Sequence, residues 1–204
     1  MTPRVCEVLA GRIRSMVRGA VRCLMGEGDC VVLYEAAIRL GARDILEFGT
    51  GLGHSTVALA MGVCARGGRV ITIDCWDPLV VGDGGKAARQ EVSSRGLGHL
   101  VEFLTEEATA WDPRGRSFDM VFIDTSHDLG PTRAELAKVV PLLRPGGEVF
   151  LHDVLAEIYA RQGDILPINR AALEFVWANP GWNYAVLHPE PGMLGIGRLW
   201  RCPG

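Results

Sequence analysis

The segment Glu47-Phe48-Gly49-Thr50-Gly51-Leu52-Gly53 constrains this chain more than any other. Its three glycines stand at alternate positions, directly after a short apolar run at residues 44–48 and directly before a helical pattern with Ser55 as its expected cap. Glycine there lets a strand turn sharply into a helix and removes the side chains that would hold a ligand away from the backbone. A second strand pattern, residues 69–74 (RVITID), ends in Asp74, 23 positions beyond Gly51. That is close to the spacing of about 20 residues at which an acid after the second strand accepts hydrogen bonds from ribose hydroxyls. A glycine turn alone is common for structural reasons; the turn and the acid together are informative.

Strand-length apolar segments then alternate with helical patterns, the signature of strand-helix-strand units around a parallel sheet. A helix over residues 31–40 stops at Gly41. The helix after the glycine loop runs to about residue 65 and stops at Gly67-Gly68. Glycine-rich residues 81–85 predict a loop before a helix over 86–95. Residues 101–104 and 119–123 read as the third and fourth strands, the latter apolar enough to be covered on both faces. Pro131 opens the next helix in its first turn, with Leu136, Val139, Val140 and Leu143 as its inward stripe and Pro145-Gly146-Gly147 as its breaker. Residues 148–152 form a fifth strand, 155–168 are irregular, 170–178 are helical, and 184–187 and 194–200 close the sheet as an antiparallel pair. The expected fold is α/β, Rossmann-like and doubly wound: one domain over 1–204, with an N-terminal helical cap at 1–43 and the core at 44–204.

The chain has 204 residues, 48% hydrophobic, enough for one domain with a full core. Its net charge of −3 offers no general attraction to a phosphate backbone, which argues against a nucleic-acid partner. Cys6, Cys23, Cys30, Cys64, Cys75 and Cys202 form no C-x-x-C pair and read as reduced thiols of a cytoplasmic protein. No apolar run approaches the roughly 20 residues that span a bilayer. Residues 4–24 alternate apolar positions with Arg12, Arg14, Arg18 and Arg22 at helical spacing. Such an amphipathic helix suits covering a site or packing on a second subunit, which makes a homodimer an expectation, better than it suits a membrane surface.

Glycines spaced G-x-G-x-G, with Glu47 two residues ahead, discriminate among ligands. A carboxylate at that place repels a pyrophosphate and attracts the ammonium and sulfonium of S-adenosylmethionine. Amide groups and Ser55 at the helix start suit that molecule's carboxylate. A nicotinamide or flavin cofactor, or a loop without a ligand, are the alternatives.

In order, E-F-G-T-G-L-G-H-S-T, T-I-D, F-D-M-V-F-I-D-T-S-H-D and L-L-R-P-G-G-E-V-F-L-H-D resemble the successive motifs of class I S-adenosylmethionine-dependent methyltransferases, closely over residues 31–153. Within the class the chain is most similar to small-molecule O-methyltransferases of the sugar and natural-product type. The resemblance implies a seven-stranded sheet with a reversed last strand. It implies that Glu47, Gly49, Thr50, Gly51, Gly53 and Ser55 meet the methionine part of the cofactor and that Asp74 meets the ribose. Cys75 and Trp76 then lie beside the nucleoside, Glu107 (with Glu106 as neighbour) reaches the adenine, and Asp124 closes the pocket. Trp76 reads equally as a core aromatic, and Glu107 as an exposed acid.

Asp124, His127 and Asp128 follow the fourth strand; His152 and Asp153 close the fifth. Both groups fall at the carboxyl edge of the sheet, where ligands bind. Two mechanisms are compatible with them. In one, Asp124 and Asp153 hold Mg2+, which binds and acidifies an acceptor hydroxyl while His127 takes the proton. In the other no metal binds, His127 is the general base, and Asp153 or Asp128 orients it. Metal-dependent relatives are similar except that their fifth-strand pair is acidic or amide; here it is His152-Asp153, and imidazole is a poorer Mg2+ ligand than oxygen. An RNA methyltransferase would need a lysine near these strand ends, and none is there. A regulatory protein that binds S-adenosylmethionine without catalysis would have no need of Asp124 and His127. The expected acceptor is a hydroxyl of a small molecule.

Overall fold

A computed structural model of the chain describes residues 25–76, 84–155, 166–187 and 194–202. The helix expected over 4–24, most of the 81–85 loop and most of 155–168 lie outside them. Five helices, α1 (Glu27–Leu40), α2 (His54–Cys64), α3 (Lys86–Ser94), α4 (Leu129–Val139) and α5 (Pro167–Ala178), accompany seven strands among the described residues. The strands are β1 (Asp44–Phe48), β2 (Arg69–Asp74), β3 (Val101–Thr105), β4 (Phe118–Ile123), β5 (Leu143–Leu151), β6 (Trp182–Leu187) and β7 (Ile196–Arg201).

They form one sheet in the order β3-β2-β1-β4-β5-β7-β6. β1 to β5 pair in parallel, and β7 runs antiparallel to both β5 and β6. The expected doubly wound sheet with a reversed last strand is therefore what the chain builds. The strand order reverses between β1 and β4, so the crevice of a doubly wound sheet opens where Phe48 and Ile123 end.

Both faces are covered, which is why the strands read as unbroken apolar runs. Ile45, Val70, Met120, Phe122, Phe150 and Ile196 point to one side and pack with Leu33, Ala37, Leu59 and Val63 of α1 and α2. Leu46, Ile71, Ile73, Val121, Val149 and Leu199 point to the other and meet Leu136, Val139, Ile168 and Ala171 of α4 and α5.

The differences from the sequence reading lie at element ends. α1 starts at Glu27, four residues before the expected 31; Glu27 and Asp29 in its first turn suit the positive end of the helix dipole. It ends as read, at Gly41 with φ +63. Ser55 is not the cap of α2: Gly53, at φ +85, holds that place, and Ser55 sits inside the first turn. Leu143 belongs to no helical stripe, because α4 stops at Val139 and β5 already begins at Leu143. Pro145-Gly146-Gly147 is a bulge within β5, pairing resuming at Met120 with Glu148 after Phe118 with Leu143. Proline forbids helix yet allows extended backbone.

Acids at the amino edge of the sheet are spent on the scaffold. Asp119 Oδ2 accepts from the Arg43 and Asp44 amides at 2.8 and 3.0 Å, and Arg144 bridges Asp44 and Asp119. Half-buried and exposed arginines, Arg198 and Arg39, clamp the buried Glu148. The remaining buried acids gather at the carboxyl edge.

Candidate functional site

The glycine loop is tied down by the acid at the end of β2. Asp74 Oδ2 accepts from the Thr50 and Gly51 amides at 2.9 and 3.0 Å, and Oδ1 accepts from the Trp76 amide at 2.7 Å. Thr50 adds a hydroxyl contact of 2.6 Å to Thr72. Gly49 and Gly51 have φ of +89 and +50. A Cβ on Gly49 would lie 1.9 Å from the Asp124 carbonyl oxygen, so only glycine lets the loop touch the end of β4. A Cβ on Gly51 would meet nothing within 4 Å, which leaves space above the loop for a ligand.

Glu47 is fully buried beneath this loop. The β1–β2 register sets it beside Thr72, and Oε2 accepts from the Thr56 hydroxyl at 2.6 Å. Burial pushes its carboxyl up to about 7, against hydrogen bonds from Ser55, Thr56 and Thr72 that favour the charged form. Its Oε1 is buried without a hydrogen-bond partner. A buried orphan acceptor below an open loop is the feature a cationic ligand would complete.

Four further groups converge where β4 and β5 end. His127 Nε2 lies 3.0 Å from Asp153 Oδ2. The buried His152 pairs Nδ1 with Asp124 Oδ1 in a hydrogen bond of 3.1 Å, and the same nitrogen lies at ion-pair distance, 3.0 Å, from Asp153 Oδ1. Its Nε2 faces Asp29 Oδ2 at 3.3 Å. Asp153 holds φ +59, a left-handed conformation that costs a non-glycine residue on the order of 1–3 kcal/mol and that clusters at functional sites. Burial, the largest effect on His127, lowers its pKa below the ordinary histidine value despite Asp124 and Asp128. His152 behaves oppositely: the carboxylates Asp124, Asp29 and Asp153 overcome desolvation and hold it up at about 10.

Of the other residues read from sequence, Cys75 is exposed, as are Glu106 and Glu107. Trp76 is buried against Gly85 and Ala88 of the α3 start, donating from Nε1 to the Thr105 hydroxyl at 3.2 Å. Asp128 occupies the N-cap position of α4.

Sequence reasoning missed Asp29 and Glu135. Asp29 falls four residues before Leu33 and eight before Ala37, on the buried stripe of α1. A charge on an apolar stripe was the available signal. Glu135 likewise lies on the inner face of α4, accepts from the Thr125 hydroxyl at 2.5 Å and is pushed by burial up to about 7.

A Rossmann-like sheet with a glycine cradle and an acid cluster at its switch point is the architecture of class I methyltransferases. A family model described as a methyltransferase domain matches residues 46–154, just over half of the chain, and the chain belongs to that family. It is 28% identical over 137 residues to catechol O-methyltransferase B of Danio rerio, covering 64% of this chain and 50% of that protein. It is 30% identical over 133 residues to a catechol O-methyltransferase of Niastella koreensis, covering 63% of this chain and 54% of that one. The chain thus spans about half the length of these curated relatives. The crystal structure of the O-methyltransferase TomG from Streptomyces achromogenes, involved in tomaymycin synthesis and in complex with SAM, superposes with a TM-score of 0.71 at 22% identity, over 95% of this chain and 89% of TomG.

Proposed function

We propose that the chain is an S-adenosylmethionine-dependent O-methyltransferase that acts on a hydroxyl of a small molecule, with His127 as general base. The observation that carries this is the His127–Asp153 pair, set against the glycine loop by the contact of Gly49 with the Asp124 carbonyl. The names of the relatives, catechol O-methyltransferases, and of TomG in complex with SAM support the same reading.

The residues present fit the cofactor. The space above Gly51, the orphan Glu47 Oε1 and the helix start at His54 suit a molecule carrying a cation and a carboxylate. Asp74 shapes the loop through the Thr50 and Gly51 amides and retains lone pairs for a ribose. Asp124, partly exposed beside the loop, would hold the cofactor's amino end, and Glu107, Cys75 and Trp76 would hold its nucleoside. When bound, S-adenosylmethionine supplies an electrophilic methyl group, and the C–S bond breaks as the acceptor oxygen forms its bond to carbon. With His127 Nε2–H donating to Asp153 Oδ2, the basic lone pair of the ring is on Nδ1, which takes the hydroxyl proton. Burial keeps that ring neutral near neutrality, the form a base requires.

Among the described residues Asp124, His152 and Asp153 each bring one ligand atom within 4.8 Å of the others, a set that could hold a cation, although imidazole matches Mg2+ less well than a third oxygen would. No step is assigned to that ion.

Calorimetry with S-adenosylmethionine, its demethylated product and NADH tests the reading, followed by acceptor panels of catechols and sugars. Binding of the two adenosyl compounds and methylation of a hydroxylated acceptor are the expected results. Binding of NADH alone would overturn them.

A further inference from the structure

The donors gathered where β4 and β5 end are not those an Mg2+ site would use. Asp124 and Asp153 each bring a carboxylate oxygen, but the third member of the group is the imidazole of His152, and one ligand atom from each lies within 4.8 Å of the others. His152 Nδ1 stands 3.1 Å from Asp124 Oδ1 and 3.0 Å from Asp153 Oδ1. Two donors about 2.1 Å from one ion and at right angles are about 3.0 Å apart, so both separations are those of neighbouring ligands on an octahedral ion. A hydrogen on Nδ1 lies along one line and joins the ring to a single oxygen; an ion joins all three atoms. Asp29 adds an observation from outside the group. It comes from α1, its side chain is 0% exposed, and its Oδ2 lies 3.3 Å from Nε2, the other nitrogen of the His152 ring. A carboxylate only accepts hydrogen bonds, so Nε2 carries the hydrogen, and the neutral ring keeps its lone pair on Nδ1, facing the two aspartates. A ligating histidine almost always has such an acceptor behind it, which fixes its tautomer and strengthens it as a donor. The side chain of Asp124 is 23% exposed and that of His152 1%, so the group is walled by protein on one side and open to the crevice on the other.

We infer that His152 sets the ion this chain takes: a divalent first-row transition ion such as Zn2+ or Co2+, in preference to Mg2+, held by Asp124 Oδ1, Asp153 Oδ1 and His152 Nδ1, with Asp29 as the positioning residue behind the ring. Mg2+ demands oxygen in near-ideal octahedral geometry and gains little from nitrogen, whereas imidazole suits the later ions of the series from Mn2+ to Zn2+. The two carboxylates in the group balance the charge of a divalent ion. Asp153 serves the ion and His127 together because it turns a different oxygen to each, Oδ1 toward His152 and Oδ2 toward His127. The choice of ion goes beyond the methyl transfer proposed above and does not depend on it: a chain without that activity would still hold these four side chains in place.

The test uses the whole chain, stripped with a chelator and titrated calorimetrically with Mg2+, Co2+ and Zn2+ singly. Co2+ and Zn2+ should bind at least about 100-fold more tightly than Mg2+. The exposed thiols of Cys64, Cys75 and Cys202 also attract Zn2+, so the site is read from the ring itself. In 15N spectra of labelled histidine, Zn2+ should shift Nδ1 of His152 and leave Nε2 with its hydrogen. His152→Asp, which gives the group three oxygens, should narrow the preference for Zn2+ over Mg2+ by at least about tenfold. Asp29→Ala should weaken Zn2+ binding by about 10- to 100-fold with Mg2+ affinity nearly unchanged, a change in ratio that a general loss of packing would not produce. Equal affinity for Mg2+ and Zn2+, no binding of any of the three ions, or Zn2+ bound with the His152 ring undisturbed would overturn the inference. The unaltered chain alone gives these readings, so they do not require either variant to fold. A chain that bound no S-adenosylmethionine would sink the function proposed above and leave the ion preference to be decided by the titrations and the spectra.

Discussion

Asp29, in the first turn of α1, lies 3.3 Å from the Nε2 of His152, a residue 123 positions later at the end of β5. The contact ties the helix that precedes the sheet to the acid cluster at its carboxyl edge. It passes through the interior, where neither side chain reaches solvent. A partner that far away in sequence means the cluster assembles only when α1 docks, so its chemistry and the packing of α1 are coupled.

His127→Gln should lower kcat by about 10²- to 10⁴-fold, the usual worth of a general base, with cofactor affinity nearly unchanged. Because burial lowers the His127 pKa, the unaltered chain should hold its rate through neutrality and lose it only at pH below the ordinary histidine range, as the ring takes up a proton. The variant should lose that acidic limb. Steady-state rates across pH for both proteins check this.

Asp74→Ala removes the acceptor shared by the Thr50 and Gly51 amides and should weaken S-adenosylmethionine binding by at least about tenfold, equivalent to roughly 1.4 kcal/mol. Calorimetry reads it directly. Unchanged affinity would mean that the loop is held by other contacts and that Asp74 meets no ribose.

Gly49→Ala and Gly51→Ala should behave differently although both positions have positive φ. The first forces a methyl group to 1.9 Å from the Asp124 carbonyl and should cost on the order of 3 kcal/mol or more. The second meets nothing within 4 Å and should cost about 1–2 kcal/mol, while its methyl group occupies the ligand's space and lowers cofactor affinity. Thermal melting and calorimetry on the pair separate the two effects.

Glu47 and Glu135 are both pushed from 4.5 up to about 7 by burial. The folded state therefore binds protons that the unfolded state has released. The stability this provides is complete below pH 4.5 and is lost as pH rises from there through 7, on the order of 3 kcal/mol for each group. Raised by its carboxylates, His152 contributes fully below pH 6.5, adds to the fall above it and has lost its contribution by about pH 10. Denaturant midpoints between pH 5 and 8 should fall for the unaltered chain, and the slope should lessen in Glu135→Gln.

The sequence by itself determined the layered fold and the cofactor loop, because both are local. The apolar runs at Asp44–Phe48 and Arg69–Asp74 fit strands buried on both faces, and the glycines at 49, 51 and 53 fit a turn whose φ angles no other residue adopts cheaply. Ends were less legible. Pro145 stops a helix but does not say whether a coil or a bulged strand follows, and the pairing of Leu143 with Phe118 across the sheet decided that. Gly53 displaced Ser55 as the cap of α2, since a turn with φ +85 left the serine inside the first turn, where its hydroxyl serves Glu47. Only the tertiary structure decided the charges. His152 reads as a packing residue or a weak metal ligand until Asp29, Asp124 and Asp153 arrive from three elements around it. Whether a buried group is charged depends on the neighbours that replace its water, and sequence spacing cannot specify neighbours more than a hundred residues apart.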